Sequence, residues 1–218
     1  FKKSKEEFAK EIKSTRYSKV GHLFKIHSWA PVYYDVDNIM AANFDKIDEI
    51  ATLGAVLYSQ NTLGNAIAKF GYSYHNNRHA GHFKFVYTGL YPVFEINTDI
   101  NANGQKRYLY KNGGKLAIQN TGNVDVNLDV TAYIPFTFNS HGLYRGITPQ
   151  INWNFTNNYF TNETYNVKSY NQELTFAIQG YLMRPTAHSA IYPKWGIGLY
   201  AGTSMTPKGG DFKGNTAA

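Results

Sequence analysis

Seven histidines and a scatter of acids and lysines are the side chains in this chain with chemistry to offer. His75, His79 and His82 stand four and three residues apart, with Asn76, Asn77 and Arg78 among them. On a helix that spacing would bring three imidazoles to one face, a pattern suited to a transition metal. The flanking residues alternate with a period of two instead, so the three straddle a turn between strands, and Arg78 opposes a cation. The cluster reads as a polar loop, and no metal is expected. A second run, His27-Ser28-Trp29-Ala30-Pro31-Val32-Tyr33-Tyr34-Asp35-Val36-Asp37, carries two carboxylates. Asp35 and Asp37 could offer oxygens to Ca²⁺ but fall far short of the ~6–8 ligands that ion takes. His27, Trp29, Asp35 and Asp37 are therefore expected in a loop packed into or over a barrel.

Nucleophilic catalysis needs a nucleophile, a base and an orienting group within reach of one another. His27 and Ser28 are adjacent and so face opposite sides of a strand. Ser140 and His141 share a short turn. Neither pair forms a relay, and no pair of carboxylates stands out for acid–base work. No enzyme and no cofactor is expected. Lys69, Lys84, Glu95, Asp99, Asp125, Asp129 and Glu173 alternate with apolar neighbours. Such charges face the lumen of a barrel, where they hold the wall together or set pore selectivity.

The elements that position these side chains follow from the same alternation. Val124, Val126, Leu128, Val130, Ala132, Ile134, Phe136 and Phe138 are apolar, while Asp125, Asn127, Asp129, Thr131 and Tyr133 lie between them. One strand over this stretch would run roughly 50 Å. About nine strands are expected, over 22–29, 51–59, 65–75, 80–88, 91–100, 124–138, 143–156, 173–184 and 193–204. Connections at one rim then measure about 21, 4, 23 and 16 residues and those at the other about 5, 2, 4 and 8, the sorting expected of an outer-membrane barrel. Outward Tyr72, Tyr74, Trp153 and Phe155 fall near the long-loop rim. Outward Tyr87, Phe136, Phe138 and Trp195 fall near the other, as two interfacial girdles would.

Composition fits this picture. Aromatic residues reach 16%, with 18 Tyr and 14 Phe, and mean hydropathy is only −0.43. Barrel strands average out to such values because half of each strand is polar. No run approaches the ~18 apolar residues of a membrane-spanning helix. The net charge of +7 is concentrated in residues 1–19, where Lys2, Lys3, Lys5, Lys10, Lys13, Arg16 and Lys19 face only Glu6, Glu7 and Glu11. With Phe8 and Ile12 four apart, residues 1–19 read as a basic amphipathic linker helix on the periplasmic side. No basic stripe recurs beyond it, so nucleic acid is not an expected partner. Residues 20–218 read as the N-terminal part of an all-β, antiparallel transmembrane β-barrel of about 16 strands.

Several runs are similar to a known family. Tyr17-Ser18-Lys19, His22-Leu23-Phe24-Lys25-Ile26-His27-Ser28-Trp29-Ala30-Pro31, Tyr34-Asp35-Val36-Asp37, Leu57-Tyr58-Ser59-Gln60-Asn61-Thr62-Leu63-Gly64, Gly71-Tyr72-Ser73-Tyr74-His75 and Pro193-Lys194-Trp195-Gly196 carry the likeness. They resemble Bacteroidota outer-membrane proteins in which a Tol B-like β-propeller precedes a surface-antigen-type barrel. The resemblance implies a propeller upstream of Phe1, further strands beyond Ala218, and partners among outer-membrane lipid and other envelope proteins. It carries over no catalytic motif. Arg145-Gly146-Ile147 departs at its third residue from the Arg-Gly-aromatic motif of assembly members, so no insertase role is carried over.

The leading expectation is thus an outer-membrane protein in envelope biogenesis or transport, within a larger complex. A passive or selective porin, an outer-membrane barrel hydrolase and a soluble glycan-binding β-sandwich are the alternatives.

Overall fold

The computed structural model describes residues 22–34, 51–111, 115–162, 167–184, 195–207 and 215–217. The segment expected as a linker helix over 1–19, and Asp35 and Asp37, lie outside them. The described residues form one all-β sheet of thirteen strands. The strands are β1 (Ile26–Tyr34), β2 (Ala51–Gln60), β3 (Ala66–His75), β4 (Arg78–Tyr87), β5 (Val93–Ile100), β6 (Lys106–Lys111), β7 (Lys115–Asn120), β8 (Val126–Tyr133), β9 (Phe136–Thr137), β10 (Tyr144–Asn162), β11 (Val167–Arg184), β12 (Trp195–Met205) and β13 (Asn215–Ala217). The main order is β1-β2-β3-β4-β5-β8-β10-β11-β12-β13, with every pair antiparallel. Among the described residues the sheet is open, with β1 and β13 at its ends.

Register sorts the side chains. Asp129 stands opposite Asn97, Lys84 opposite Asn97 on the other side, and Lys69 opposite Lys84. Val130, Ile96 and Phe85 form the matching row on the reverse face. Residues directly opposite in a ladder share a face, so each row continues across the sheet. One face carries Lys69, His82, Lys84, Glu95, Asn97, Asp99, Asn127, Asp129, Asn152, Asn154, Glu173 and Thr175. The other carries Leu53, Leu57, Phe70, Phe83, Phe85, Ile96, Leu128, Val130, Trp153, Leu174, Phe176, Ile178, Ile197 and Leu199. The apolar face is open: Trp29, Leu53 and Leu199 are 68%, 71% and 73% exposed.

Three expectations change. The stretch Val124–Phe138 is two strands, not one, broken at Ile134-Pro135. Pro135 has no N–H to give to the ladder. The Ile134 amide still bonds the Pro149 carbonyl at 3.1 Å, and pairing resumes at Phe136 opposite Ile147. Second, the run from His27 to Tyr34 is not a loop but most of edge strand β1, paired to β2 with irregularities at His27 and Pro31. An edge strand tolerates Pro at a bulge because no outer neighbour needs its amide.

Third, two of the expected long connections are largely strand. The seventh shrinks to residues 163–166, because β10 and β11 run on to 19 and 18 residues. Most of the fifth is the β6–β7 hairpin. One feature joins these changes. β10 bulges between Thr156 and Tyr159, after which its edge passes from β8 to β6, in parallel. The bulge amides do the tying: Asn157 Oδ1 accepts from Val126 N at 3.0 Å, and Asn158 Oδ1 from Lys106 N at 2.8 Å. Loop length therefore sorts by rim less cleanly than the alternation alone suggests.

Asp125 anchors the base of the hairpin from just outside β8. It is 1% exposed, and its carboxylate accepts from Gly104 N at 2.6 Å, Asn103 N at 3.1 Å and Asn127 Nδ2 at 3.2 Å. Losing a buried acceptor orphans those donors, at about 1–3 kcal/mol. Asp125→Ala is expected to speed amide hydrogen exchange across residues 101–120 while leaving β3 and β4 protected. Exchange mass spectrometry reads both.

Candidate functional site

A continuous polar network lies on the polar face where β1 to β5 meet. Its position is set by the β3–β4 turn. Asn76 and Asn77 have φ of 50° and 62°, the two left-handed residues of a tight two-residue hairpin. The turn pairs Ser73 with Ala80 and Gly71 with His82. Ser73 and His82 are then diagonal neighbours on one face, and His82 stands opposite Asp99 on β5.

The hydrogen bonds run in a line. Ser73 Oγ lies 2.8 Å from His82 Nε2, and His82 Nδ1 lies 2.6 Å from Asp99 Oδ1. A carboxylate can only accept, so Nδ1 carries a proton, and in the neutral imidazole Nε2 accepts from the serine hydroxyl. Tyr33 locks the imidazole, its ring stacked on His82 at 4.0 Å between centroids and 14° between planes. The tyrosine lies there because position 71 is glycine: a Cβ on Gly71 would run into the Tyr33 ring. Lys69 lies beside this stack. Its Nζ donates to the Tyr34 carbonyl at 2.8 Å and sits 5.1 Å from the Tyr33 ring centroid.

Two cavities open on the network, both touching Tyr33 and His82. One, of about 220 Å³, is walled by Lys69, Lys84, Asn97 and Asp99. The other, of about 520 Å³, is walled by Thr52, Ser73, His75, Arg78 and Asn103. Arg78 donates to the Asn103 carbonyl.

The remaining expected residues divide by location. Glu95 accepts from Tyr133 OH at 3.0 Å. Asp129 accepts from Asn152 Nδ2 at 2.9 Å and from Thr131 Oγ1 at 3.2 Å. Glu173 is farther along the same face, opposite Asn154. Lys69, Lys84, Glu95, Asp99, Asp129 and Glu173 thus share the polar face, whereas Asp125 turns into the hairpin base. Trp29 is on the apolar side of β1, and His27 is exposed at its bulge.

The three clustered histidines do not converge. His79 Nδ1 bonds Tyr72 OH at 2.6 Å on the apolar face, while His82 points to the other. Among the described residues no group of acids and histidines has a metal-holding arrangement. Neither His27 with Ser28 nor Ser140 with His141 forms a relay; the relay-like line is Ser73, His82 and Asp99. The sequence carried a signal for it. Once the turn is set at Asn76-Asn77, pairing arithmetic alone makes Ser73 and His82 diagonal neighbours.

Filling the Gly71 notch tests the packing. Gly71→Ala is expected to destabilise the folded sheet by about 1–3 kcal/mol through overpacking against Tyr33. In Tyr33→Ala the same substitution is expected to cost less by about 1 kcal/mol or more, since the clash with the ring is gone and only the 3.1 Å approach to His82 Cβ remains. Urea titration of the four variants measures the coupling.

No known family model matches the chain, and neither a curated protein nor a solved structure matches it.

Proposed function

We propose that this chain forms part of the wall of a bacterial outer-membrane β-barrel that serves envelope biogenesis or transport within a larger complex. One observation carries the reading: a single sheet has an apolar face and a polar face, and the apolar face is exposed across β1 to β12. A contiguous apolar surface of that extent in water exceeds what soluble monomers leave uncovered. A bilayer covers it.

Dimensions agree. β2, β3 and β4 each hold ten residues. At ~3.3 Å per residue and a tilt near 40° such strands rise about 25 Å, the height of the apolar band of an outer-membrane barrel. Aromatic residues gather toward both ends of this band. Tyr72 and Tyr74 stand beside the β3–β4 turn, and Tyr91, Phe136 and Phe138 form a contact chain at the opposite rim. The extended ends of β10 and β11, with the β6–β7 hairpin, then project past the band into water. Closure of the sheet, which is open among the described residues, belongs to the same proposal. An upstream propeller and a Bacteroidota envelope belong to the same proposal and rest on the sequence runs around His27 to Pro31.

A soluble glycan-binding sandwich would bury its apolar face under a second sheet. Among the described residues the buried apolar side chains are Val56, Ala66, Ala68, Ala80 and Ala177, too few for such a core. A porin would share the wall described here and differ in conductance across planar bilayers.

A lysine placed on each face separates bilayer from water. Ile96→Lys, on the apolar face, is expected to cost about 2–4 kcal/mol of folding into lipid vesicles. Asn97→Lys, one residue along and on the polar face, is expected to stay within about 0.5 kcal/mol. Heat-modifiable gel migration against urea measures both. Equal tolerance at the two positions would sink the bilayer reading.

A further inference from the structure

We propose that Ser73 is a nucleophile, His82 its general base and Asp99 the residue that positions the imidazole, forming an acyl-transfer site on the polar face. The proposal uses only the geometry of that face and stands independently of what covers the other.

The line from Ser73 through His82 to Asp99 has the connectivity this chemistry needs. The base lies within hydrogen-bond reach of the hydroxyl, and the carboxylate holds the opposite ring nitrogen in its protonated tautomer. The Tyr33 stack fixes the ring plane, so the base spends little entropy on alignment. Ser73 is 6% exposed overall, yet it forms part of the wall of the roughly 520 Å³ cavity, and substrate would reach it from there. The Asp99 side chain, 47% exposed, sits at the opposite end of the line.

A second observation points to a ligand. Among the described residues, Thr52 Oγ1 is buried on the same cavity wall with no hydrogen-bond partner. A shut-in hydroxyl without a partner costs free energy unless something else occupies it. Gly54 stands opposite Ser73, so Thr52 is the diagonal neighbour of Ser73 on the same face, with Cα atoms roughly 7–8 Å apart. Turned from its shut-in position toward the cavity, this O–H, with the Arg78 guanidinium on the same wall, would supply donors for the oxygen that becomes negative when a carbonyl is attacked. Lys69 and Lys84 on the adjoining cavity favour an acyl ester that carries negative charge.

The step balances without a cofactor. Ser73 Oγ bonds to the carbonyl carbon while its proton passes to His82 Nε2. The carbon–oxygen bond to the leaving alcohol breaks, and that alcohol takes the proton from Nε2. Water, deprotonated by the same imidazole, then releases the acid and restores Ser73.

The test treats the full chain, folded in detergent micelles and verified by heat-modifiable migration, with an alkyl fluorophosphonate and with a p-nitrophenyl acyl ester. Phosphonylation is expected at Ser73 by peptide mass spectrometry and absent in Ser73→Ala. The labelling rate is expected to fall about 10³-fold in His82→Gln. For ester hydrolysis, Thr52→Val is expected to lower kcat about 10²-fold with KM little changed, as loss of a donor used in the transition state does. Asp99→Asn is expected to lower kcat more than it changes KM, with partial rescue in Asp99→Glu. A folded wild-type chain that takes no label, or a Ser73→Ala chain that labels like wild type, would overturn the assignment and would leave the barrel reading untouched.

Discussion

Cross-strand register is the constraint on which the rest of this molecule depends. Side chains alternate along each strand, so a slip of one residue in any pair would carry lysines and carboxylates onto the apolar face and isoleucines onto the polar one. The two faces stay separate from Leu53 opposite Tyr74 through Lys84 opposite Asn97 to Gln179 opposite Tyr200. Turn chemistry pins it locally, as the two left-handed asparagines do between β3 and β4. Packing pins it across strands: Tyr33 seats over Gly71 only in the observed alignment. Both the amphipathic sheet and the Ser73–His82–Asp99 line are consequences of that alignment.

Where the ladder must change partners, the chain uses irregularities that leave its two faces intact. β10 is lined in turn by β9, β8 and β6 along one edge. The first handover falls at Pro135, which cannot donate. The second falls at Asn157-Asn158, whose side chains bond the backbone of the incoming and outgoing segments. A bulge that frees two amide side chains at that point lets one long strand serve both the sheet and the projecting hairpin.

Much of this was legible in the sequence and some was not, for physical reasons. Phe83, Phe85 and Tyr87 against His82 and Lys84 announce a two-faced strand because alternation is local information. The shared face of Lys69, Lys84, Glu95, Asp99, Asp129 and Glu173 followed from the same rule. Asp125 continues the alternation on paper, but β8 begins only at Val126, and the carboxylate serves the loop. Asn157 and Asn158 look like the start of a loop, because their role depends on partners some thirty to fifty residues away. Ser73, His82 and Asp99 come from three strands, and only register brings them together. Pro31 and Pro135 both interrupt the ladder, yet neither reveals from sequence alone whether the chain bulges, as at β1, or stops, as after β8.

The chain contains no cysteine, so a single engineered one reports its own surroundings. The most direct test of the two-faced wall is a spin-label scan along β8, from Val126 to Tyr133, in lipid vesicles. Accessibility to oxygen, which partitions into lipid, and to a water-soluble nickel chelate would be measured at each site. We predict a period of two, with lipid-like values at Val126, Leu128, Val130 and Ala132 and water-like values at Asn127, Asp129 and Thr131. Water-like values at both sets, in a chain that has kept its folded gel mobility, would contradict the account.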